Sequence, residues 1–474
     1  SPCFPRNYHV KTDIEDFHWY NGWPAQNADF QRHADEFAAR PKWTFSPHGD
    51  AVRSGHEPLI CSEFGVWGLP HPKDILEKDG SEPWWFESGH DWNSGCAYPH
   101  GMDIRFRDAR LAAIFDNLDG FVDAAQATQY RALKFQIETL RLKSSVSGYI
   151  ITELNDCQCE ANGLMDARNN PRAFGADLAR LHQPFLAIGR TASTAVRSGA
   201  VFSLDVEIAG AGPLPAGAAL EWRFGVEAGR LAAGPGRLEL RAPAIDRITV
   251  LPVTLTLLGA GGTVLNTNQV EICVVPALAD GPILFGLDAS AREMLVAIGY
   301  PRIAASAETA EVLLAGRLTS AVREQVLAGR KVVVIANADD ALVDPDRDLP
   351  RLDGSNFPKM SLVQRDGTFW DGRWMGAFAW RRTDGPWAGL PNGPMLDEHW
   401  SGLLPRYVLT GFRTTAFDGL VDAAMAVAWL HKLAAFSKRS FLGKGWLTVT
   451  TFDLLGEAGR ANPLAPHVLR ALAL

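Results

Sequence analysis

The first 190 residues alternate short apolar runs with stretches of helical period. The apolar runs predict three strands: Ile14–His18, Leu59–Glu63 and Gly148–Leu154. The β-branched GYIITEL of the third run is typical of a strand buried on both faces. Helical periodicity follows each strand: Ala28–Ala39, Ile104–Leu142 with a break near Gly120, and Pro171–Ala187. Strand then helix, three times, predicts a parallel sheet whose site lies in the loops at the carboxyl ends of the strands.

The hydrophobic pattern changes at about residue 191. From 191 to 277, alternating runs such as VFSLDVEI and ITVLPVTLTLL are separated by Gly and Pro turns, which predicts a small antiparallel β-sandwich. From 278 to 474, strand-like runs such as AEVLLAG and GRKVVVIAN return, together with four helical stretches: Ala289–Ile298, Thr319–Ala328, Val421–Leu433 and the final PLAPHVLRALAL. This last region predicts an open doubly wound α/β sheet. The pattern therefore divides the chain into 1–190, 191–277 and 278–474.

Composition narrows the classes of function. The chain of 474 residues is 47% hydrophobic and 21% charged, and its apolar runs are shorter than the ~18 residues of a membrane span. A net charge of −8 without clustered Lys or Arg disfavours a nucleic-acid partner. The spacing of Cys157 and Cys159 does not match the usual zinc pairs, and the histidines show no metal-binding motif. We therefore expect no membrane span, no nucleic acid, no metal and no cofactor.

Candidate chemistry lies at the ends of the predicted strands. Glu63 closes the second strand in ICSEFGVWGLP and opens into loops rich in Trp, His, Gly and Pro. Such loops suit a sugar, because indole faces stack on pyranose rings while polar side chains bond to hydroxyls. A lone Glu at a strand end is more often a solvated or capping residue. A second cluster, Glu153, Asn155 and Asp156, follows in ITELND and strengthens the carbohydrate interpretation.

The motifs DFHWYN, SEFG and ITELND, in this order, resemble the final third of the catalytic barrel of family-2 glycoside hydrolases, which include β-galactosidases, β-mannosidases and β-glucuronidases. The resemblance covers about 190 residues. It implies the last three units of a (β/α)8 TIM barrel, followed by an immunoglobulin-like sandwich. It also implies that Glu63 is the nucleophile of a retaining β-glycosidase, and that His18, Tyr20 and Trp67 contact the carbohydrate substrate.

The sequence departs from the family at two points. Where relatives often have Trp-Gln, this chain has Thr152–Glu153, so Glu153 either holds a sugar hydroxyl or is a buried structural acid, with Asn155 and Asp156 as further substrate contacts. The family takes its acid/base from an Asn-Glu pair, and no Asn-Glu dipeptide occurs here. The resemblance thus implies the carboxyl-terminal part of a longer enzyme, whose missing amino-terminal part supplies the acid/base.

The substrate and the last region are less closely defined. Family glucuronidases carry an Asn-x-Lys clamp, which ARNNPR lacks, so a β-galactoside or similar neutral glycoside is favoured.

The last region resembles flavodoxin-like or glutamine-amidotransferase-like modules, but no cysteine follows Cys273, which excludes amidotransferase chemistry. We expect a non-catalytic domain that packs, shapes the site or forms homo-oligomer contacts. Two alternatives stay open: a non-catalytic carbohydrate-binding or structural fragment, and a flavodoxin-like binding module.

Overall fold

The structure is a computed structural model that describes residues 8–87, 98–157, 160–342, 360–373, 375–412 and 420–474. Cys159, half of the Cys-Gln-Cys pair, lies outside these ranges. Among the helices in these ranges, none has both the length and the apolar character needed to span a bilayer. The described residues form a mixed α/β and β-rich fold.

Parallel strands organise the amino-terminal region. The strands are β1 (Glu15–His18), β2 (Leu59–Phe64) and β3 (Val146–Ile151), and β2 pairs with both of the others. The helices are α1 (Asn27–Ala38) after β1, then α2 (Pro72–Ile75), α3 (Met102–Asp108), α4 (Ala112–Phe115) and α5 (Leu118–Arg141) after β2, and α6 (Gly175–Leu181) after β3. The predicted succession of strand and helix is confirmed. The assignment of these units to a TIM barrel stays a prediction.

Three details of this region differ from expectation. Strand β3 is not buried on both faces: Ile150 is 56% exposed because no described element covers that face. The long helical stretch is divided into α3, α4 and α5, and the last begins where the Asn117 side chain accepts a hydrogen bond from the Gly120 N–H. The helix predicted over Pro171–Ala187 ends earlier, because the residue before Pro184 is driven out of helical geometry.

The middle region forms two β-sheets that pack around one core. Its strands are β4 (Phe185–Arg190), β5 (Ala195–Arg197), β6 (Val201–Gly210), β7 (Ala219–Phe224), β8 (Glu227–Ala232), β9 (Gly236–Arg241), β10 (Thr249–Leu258) and β11 (Val264–Val275). One sheet has the order β5-β11-β10-β7-β8 and the other β4-β6-β9. Fully buried side chains such as Leu204, Leu255 and Ile272 form the core between them. Since β4 pairs with β6, the sandwich includes residues before 191, and its immunoglobulin-like topology stays a prediction.

The carboxyl-terminal region is built on one large mixed sheet. Its elements are β12 (Leu284–Gly286), α7 (Ala289–Ala297), β13 (Val312–Ala315), α8 (Ser320–Leu327), β14 (Lys331–Ile335), β15 (Ser361–Gln364), β16 (Ala377–Arg381), β17 (Tyr407–Thr410), β18 (Val421–Val427), β19 (Lys432–Leu442), β20 (Gly445–Thr450), α9 (Glu457–Ala461) and α10 (Ala465–Ala473). The order is β12-β13-β14-β20-β19-β17-β15, and β18 joins β19 to β16. Among the nine described strands of this sheet, β12, β13, β14 and β20 pair in parallel, so the doubly wound prediction describes four of the nine.

The helix predicted over Val421–Leu433 is wrong. These residues form β18, a turn at Ala428–Leu430 with positive φ at both ends, and the start of β19. Alanine favours a helix by intrinsic propensity, but here the small side chains are fully buried between neighbouring strands. Tertiary packing therefore overrides the local preference.

The amino-terminal and carboxyl-terminal regions share one hydrophobic core. Trp67, in the loop after β2, packs edge-on against Trp429 with ring centroids 6.2 Å apart. Phe121 of α5 packs in the same way against Phe378 of β16 at 5.5 Å. The Arg105 guanidinium adds a hydrogen bond from Nε to the Trp429 carbonyl at 2.8 Å. The loop that follows Glu63 is therefore held in place by the last region of the chain.

Candidate functional site

The carboxyl ends of β1 and β2 bring His18 and Glu63 side by side. The two residues are register partners, after an irregularity between Phe17 and His18 shifts the pairing. Two residues beyond His18, the Tyr20 Oη donates a hydrogen bond to the Glu63 Oε2 at 2.8 Å. The His18 ring lies edge-on to the Tyr20 ring, with centroids 6.1 Å apart. Three of the residues named from the sequence therefore meet at one edge of the sheet.

A close approach between the backbones after β2 and β3 places Glu153 beside His18, Tyr20 and Glu63. Phe64 pairs with Ile151, and the Thr152 N–H donates to the Phe64 carbonyl at 2.9 Å. At Gly65, an added Cβ would lie 2.5 Å from the Thr152 carbonyl oxygen, so only glycine fits. The Thr152–Glu153 peptide is cis. The end of β3 thus carries a second carboxyl to the edge where Glu63 lies.

Glu153 is a half-buried acid in a negative environment. Burial raises its pKa to about 7, and the negative charges of Glu160, Asp156 and Glu63 act in the same direction. Its Oε1 is buried and has no hydrogen-bond partner among the described residues. At neutral pH the group is therefore close to half protonated, so it is able to donate or accept a hydrogen bond.

Tyr20 remains a hydrogen-bond donor at physiological pH. Burial raises the pKa of its phenol, a hydrogen bond with the Thr152 side chain acts in the opposite direction, and the hydrogen bond and charge of Glu63 raise it further. A phenol with a raised pKa keeps its proton. Tyr20 therefore donates to Glu63 and fixes the orientation of that carboxylate.

Asn155 and Asp156 are engaged within their own loop. The Arg172 Nη2 contacts Asp156 Oδ1 at 2.7 Å and Oδ2 at 2.6 Å, and the Gly163 N–H donates to Asp156 Oδ1 at 2.9 Å. The Asn155 Nδ2 donates to the Asn169 Oδ1 at 2.6 Å. These contacts give both residues a structural task in the loop after β3, and their contact with a substrate stays a prediction.

Trp67 lies apart from the open edge. It is 1% exposed, and its Cβ lies close to Gly376 of the last region, where an added Cβ would be 2.7 Å away. An indole this deeply buried has no face available for stacking on a sugar. The structure therefore places Trp67 in the core beneath the site and not among the residues at its surface.

The sequence analysis did not single out Asn162. This residue is 1% exposed, and in the described part of the chain neither its Oδ1 nor its Nδ2 has a hydrogen-bond partner. Its carbonyl accepts a hydrogen bond from the Glu153 N–H at 3.3 Å, so it lies next to the candidate site. The sequence around it, EANG, indicates only a turn. Burial without a partner is visible only once the loop is folded.

The last region also reaches the rim of this edge. The backbone at Gly22 passes so close to the Asp371 carbonyl that an added Cβ would lie 2.1 Å from that oxygen. His33, whose Nδ1 lies 3.4 Å from the Asn21 Oδ1, has its pKa lowered by burial and then by nearby positive charges, including Arg373. The rim therefore contains residues from both ends of the chain.

Among the described residues, the grouping of side chains suited to a metal ion is Glu271, Glu398 and His399, and none of these belongs to the Glu63 site. The arrangement at the Glu63 site is instead that of paired carboxyls with a phenol donor. Such a set can carry out nucleophilic attack by an oriented carboxylate and hydrogen bonding to polar substrate groups.

Comparison with known proteins finds only a limited similarity, and only to solved structures. The chain matches no protein-family model and no curated protein. The exo-chitosanase CsxA of Amycolatopsis orientalis aligns at 16% identity and a TM-score of 0.29, over 49% of this chain and 29% of that chain. The β-glucuronidase of Parabacteroides merdae aligns at 10% identity and a TM-score of 0.23, over 57% of this chain and 32% of that chain. Both neighbours are glycoside hydrolases, and each alignment spans less than a third of the neighbour. A likeness at these scores carries no argument about activity.

Proposed function

We propose that this chain contributes the nucleophile of a retaining β-glycosidase, with Glu63 attacking the anomeric carbon of a terminal sugar. The observation that carries the proposal is the hydrogen bond from Tyr20 Oη to Glu63 Oε2, 2.8 Å long, at the carboxyl edge of the parallel strands. Side chains at this edge of parallel strands commonly build the sites of α/β enzymes. Glu153 at the end of the next strand completes a polar surface suited to sugar hydroxyls.

In this proposal each oxygen of Glu63 has a separate task. Tyr20 occupies Oε2, which leaves Oε1 for the attack. In the first step a bond forms between Oε1 and the anomeric carbon, while the bond to the aglycone oxygen breaks and that oxygen takes a proton from the general acid. Water then attacks the same carbon and gives a proton to the conjugate base of that acid, and the Glu63 carboxylate is released. The Tyr20 phenol stabilises the carboxylate before attack and again as it departs. No cofactor is required.

The proposal takes the general acid/base from a preceding part of a longer enzyme. Retaining hydrolysis needs a second carboxyl about 5–5.5 Å from the nucleophile. The Asn-Glu pair that supplies it in the resembling family does not occur in this sequence. In this scheme Glu153 binds a sugar hydroxyl, and Asn162 lies beside it as a further polar group.

The substrate in this proposal is a neutral sugar such as a β-galactoside. A sugar acid would need a free cation near the site, and the two arginines of the ARNNPR segment already have carboxylate partners. Arg168 contacts Glu77 at 3.0 Å and the Ile75 carbonyl at 3.3 Å, while Arg172 is paired with Asp156. These contacts favour hydroxyl recognition over carboxylate recognition.

Activated 2-fluoro-glycosides test the assignment, because a good leaving group departs without a general acid. A panel of galacto, manno and gluco sugars is incubated with the folded chain, and the labelled peptide is identified by mass spectrometry. We expect a covalent adduct on Glu63 and none in Glu63→Gln. The matched control is Glu87→Gln, which alters an exposed glutamate in the loop after β2 and should label as the wild type does. The role of Glu63 would be refuted if another residue were labelled, or if no sugar of the panel labelled the protein.

A second candidate function is carbohydrate binding without turnover. It is favoured by the half-buried Glu153, whose Oε1 lacks a hydrogen-bond partner in the described ranges, because a bound sugar hydroxyl would satisfy that oxygen. Saturable binding of a monosaccharide in calorimetry, with no adduct from the same sugar series, would support binding over catalysis. Loss of that binding in Glu153→Leu would locate it at this site.

A further inference from the structure

A second group of charged side chains lies where three regions of the chain meet. Glu271 is on β11 of the sandwich, Arg131 is on α5, and Glu398 and His399 lie in the turn Glu398–Trp400 of the last region. Arg131, Glu271 and Glu398 line a cleft of about 750 Å³ between these regions. Glu271 and Glu398 are thus accessible to small solutes from the cleft.

The charges in this group do not balance. Arg131 contacts Glu398 Oε1 at 3.0 Å and Asp397 Oδ2 at 3.6 Å, and its Nη2 forms an ion pair with Glu271 Oε2. Asp397 also interacts with the guanidinium of Arg381. Glu271 and Glu398 therefore share the single positive charge of Arg131, and with both carboxylates ionised these three side chains carry one excess negative charge.

Two buried polar atoms point to a missing ligand. His399 is fully buried, and within the described ranges its Nε2 and the Oε2 of Glu398 have no hydrogen-bond partner. The His399 Nδ1 lies 3.0 Å from the Thr194 Oγ1. If Nδ1 carries the proton of that hydrogen bond, Nε2 holds a lone pair, as a metal ligand must. A buried polar group without a hydrogen-bond partner destabilises the folded state, so such atoms usually have an ion or water beside them.

We propose that Glu271, Glu398 and His399 bind a divalent transition-metal ion of the Zn²⁺ type. One imidazole nitrogen and one oxygen of each carboxylate all lie within 4.8 Å of one another. Arg131 uses Glu398 Oε1 and Glu271 Oε2, so the second oxygen of each carboxylate is left for the metal. A bound cation also offsets the excess negative charge of these side chains.

The donor set and its surroundings suit such an ion. Two carboxylates and one imidazole are hard-to-borderline ligands that Zn²⁺ accepts in tetrahedral sites, with water completing the shell. The side chains of Glu271 and Glu398 are 32% and 28% exposed, so the ion enters from the cleft. Because the ligands come from the sandwich and from the last region, the bound metal fastens these two regions together.

Calorimetry with Zn²⁺ tests the proposal on the full chain. The protein is freed of metal with a chelator, dialysed, and titrated with ZnCl₂, while the thermal midpoint is followed in parallel. We expect one Zn²⁺ per chain and a higher midpoint with metal. Glu398→Gln and His399→Gln should each weaken binding at least tenfold. The matched control is His467→Gln, since the His467 Nε2 already bonds to the Pro276 carbonyl at 2.9 Å and should leave binding unchanged.

The experiment remains decisive if a buried variant fails to fold. Glu271→Gln alters a partly exposed strand residue, and the same tenfold loss is expected. Stoichiometric binding that is weakened in the ligand variants and kept in the histidine control supports the site. Absence of stoichiometric Zn²⁺ binding by the wild type, or wild-type affinity in folded Glu271→Gln and His399→Gln, would overturn it.

Discussion

Replacing Glu153 by Gln should change how the stability of the protein depends on pH. The fold raises the pKa of this carboxyl from its ordinary value of 4.5 to about 7, mainly through burial. Between these two pH values the folded protein holds a proton that the unfolded chain has released. The free energy of unfolding therefore falls as the pH rises through this window. Gln does not titrate, so the variant should lose this part of the pH dependence.

The size of the effect follows from the raised pKa. One pKa unit corresponds to about 1.4 kcal/mol, so a rise from 4.5 to about 7 has an upper limit of roughly 3 kcal/mol. Glu153 is only half-buried, and water screens much of the unfavourable interaction. We therefore expect Glu153→Gln to be more stable than the wild type by about 1–2 kcal/mol at pH 8, with the difference vanishing near pH 4.5.

Urea unfolding at a series of pH values between 4.5 and 8 measures this difference directly. The exposed Glu293, on α7, provides the control, because Glu293→Gln should follow the wild-type profile at every pH. Glu160→Gln removes one of the charges that raise the pKa of Glu153 and should give an intermediate profile. Parallel profiles of Glu153→Gln and the wild type across the whole range would refute the reasoning.

Two further predictions concern packing around the site. Gly65→Ala places a Cβ 2.5 Å from the Thr152 carbonyl oxygen. We expect this variant to lower the free energy of unfolding by about 1–3 kcal/mol, measured by chemical unfolding. The control is Gly175→Ala, where no atom lies within 4 Å of the added Cβ and the effect should be neutral or slightly stabilising. Equal effects of the two alanines would contradict the steric argument. Trp67→Ala should lower the free energy of unfolding by about 3–5 kcal/mol, because the Trp67 indole is 1% exposed. Trp84 is 78% exposed, so Trp84→Ala should change this free energy by no more than about 0.5 kcal/mol. A small effect at Trp67 would show that its indole is not part of the core.

The sequence predicted the strands of the amino-terminal region because their apolar runs are short and bounded by turns. The ends of β1 and β2 lie within a residue of the predicted ends, and the meeting of His18, Tyr20 and Glu63 follows from parallel strands sharing one edge. The same reasoning failed at Val421–Leu433, where alanine-rich sequence forms strands. Local propensity says nothing about the neighbouring strands that bury such a segment.

The rest of the candidate site depends on contacts between distant parts of the chain. A tryptophan in a loop rich in Gly and Pro indicates a surface residue, and only the folded chain brings Trp429 against Trp67. The raised pKa of Glu153 depends on burial and on a neighbouring loop carboxylate. Glu271 and His399 are separated by more than a hundred residues, so no spacing rule indicates that they lie together.

The contact between Trp67 and Trp429 has a consequence for synthesis of the protein on the ribosome. About 360 residues separate the two indoles, and at 5–20 residues per second their translation takes roughly 20–70 s. During that interval the apolar side of the loop after Glu63 has emerged but its covering partner does not yet exist. We therefore expect the nascent amino-terminal region to expose this apolar surface until the segment around Trp429 has been made.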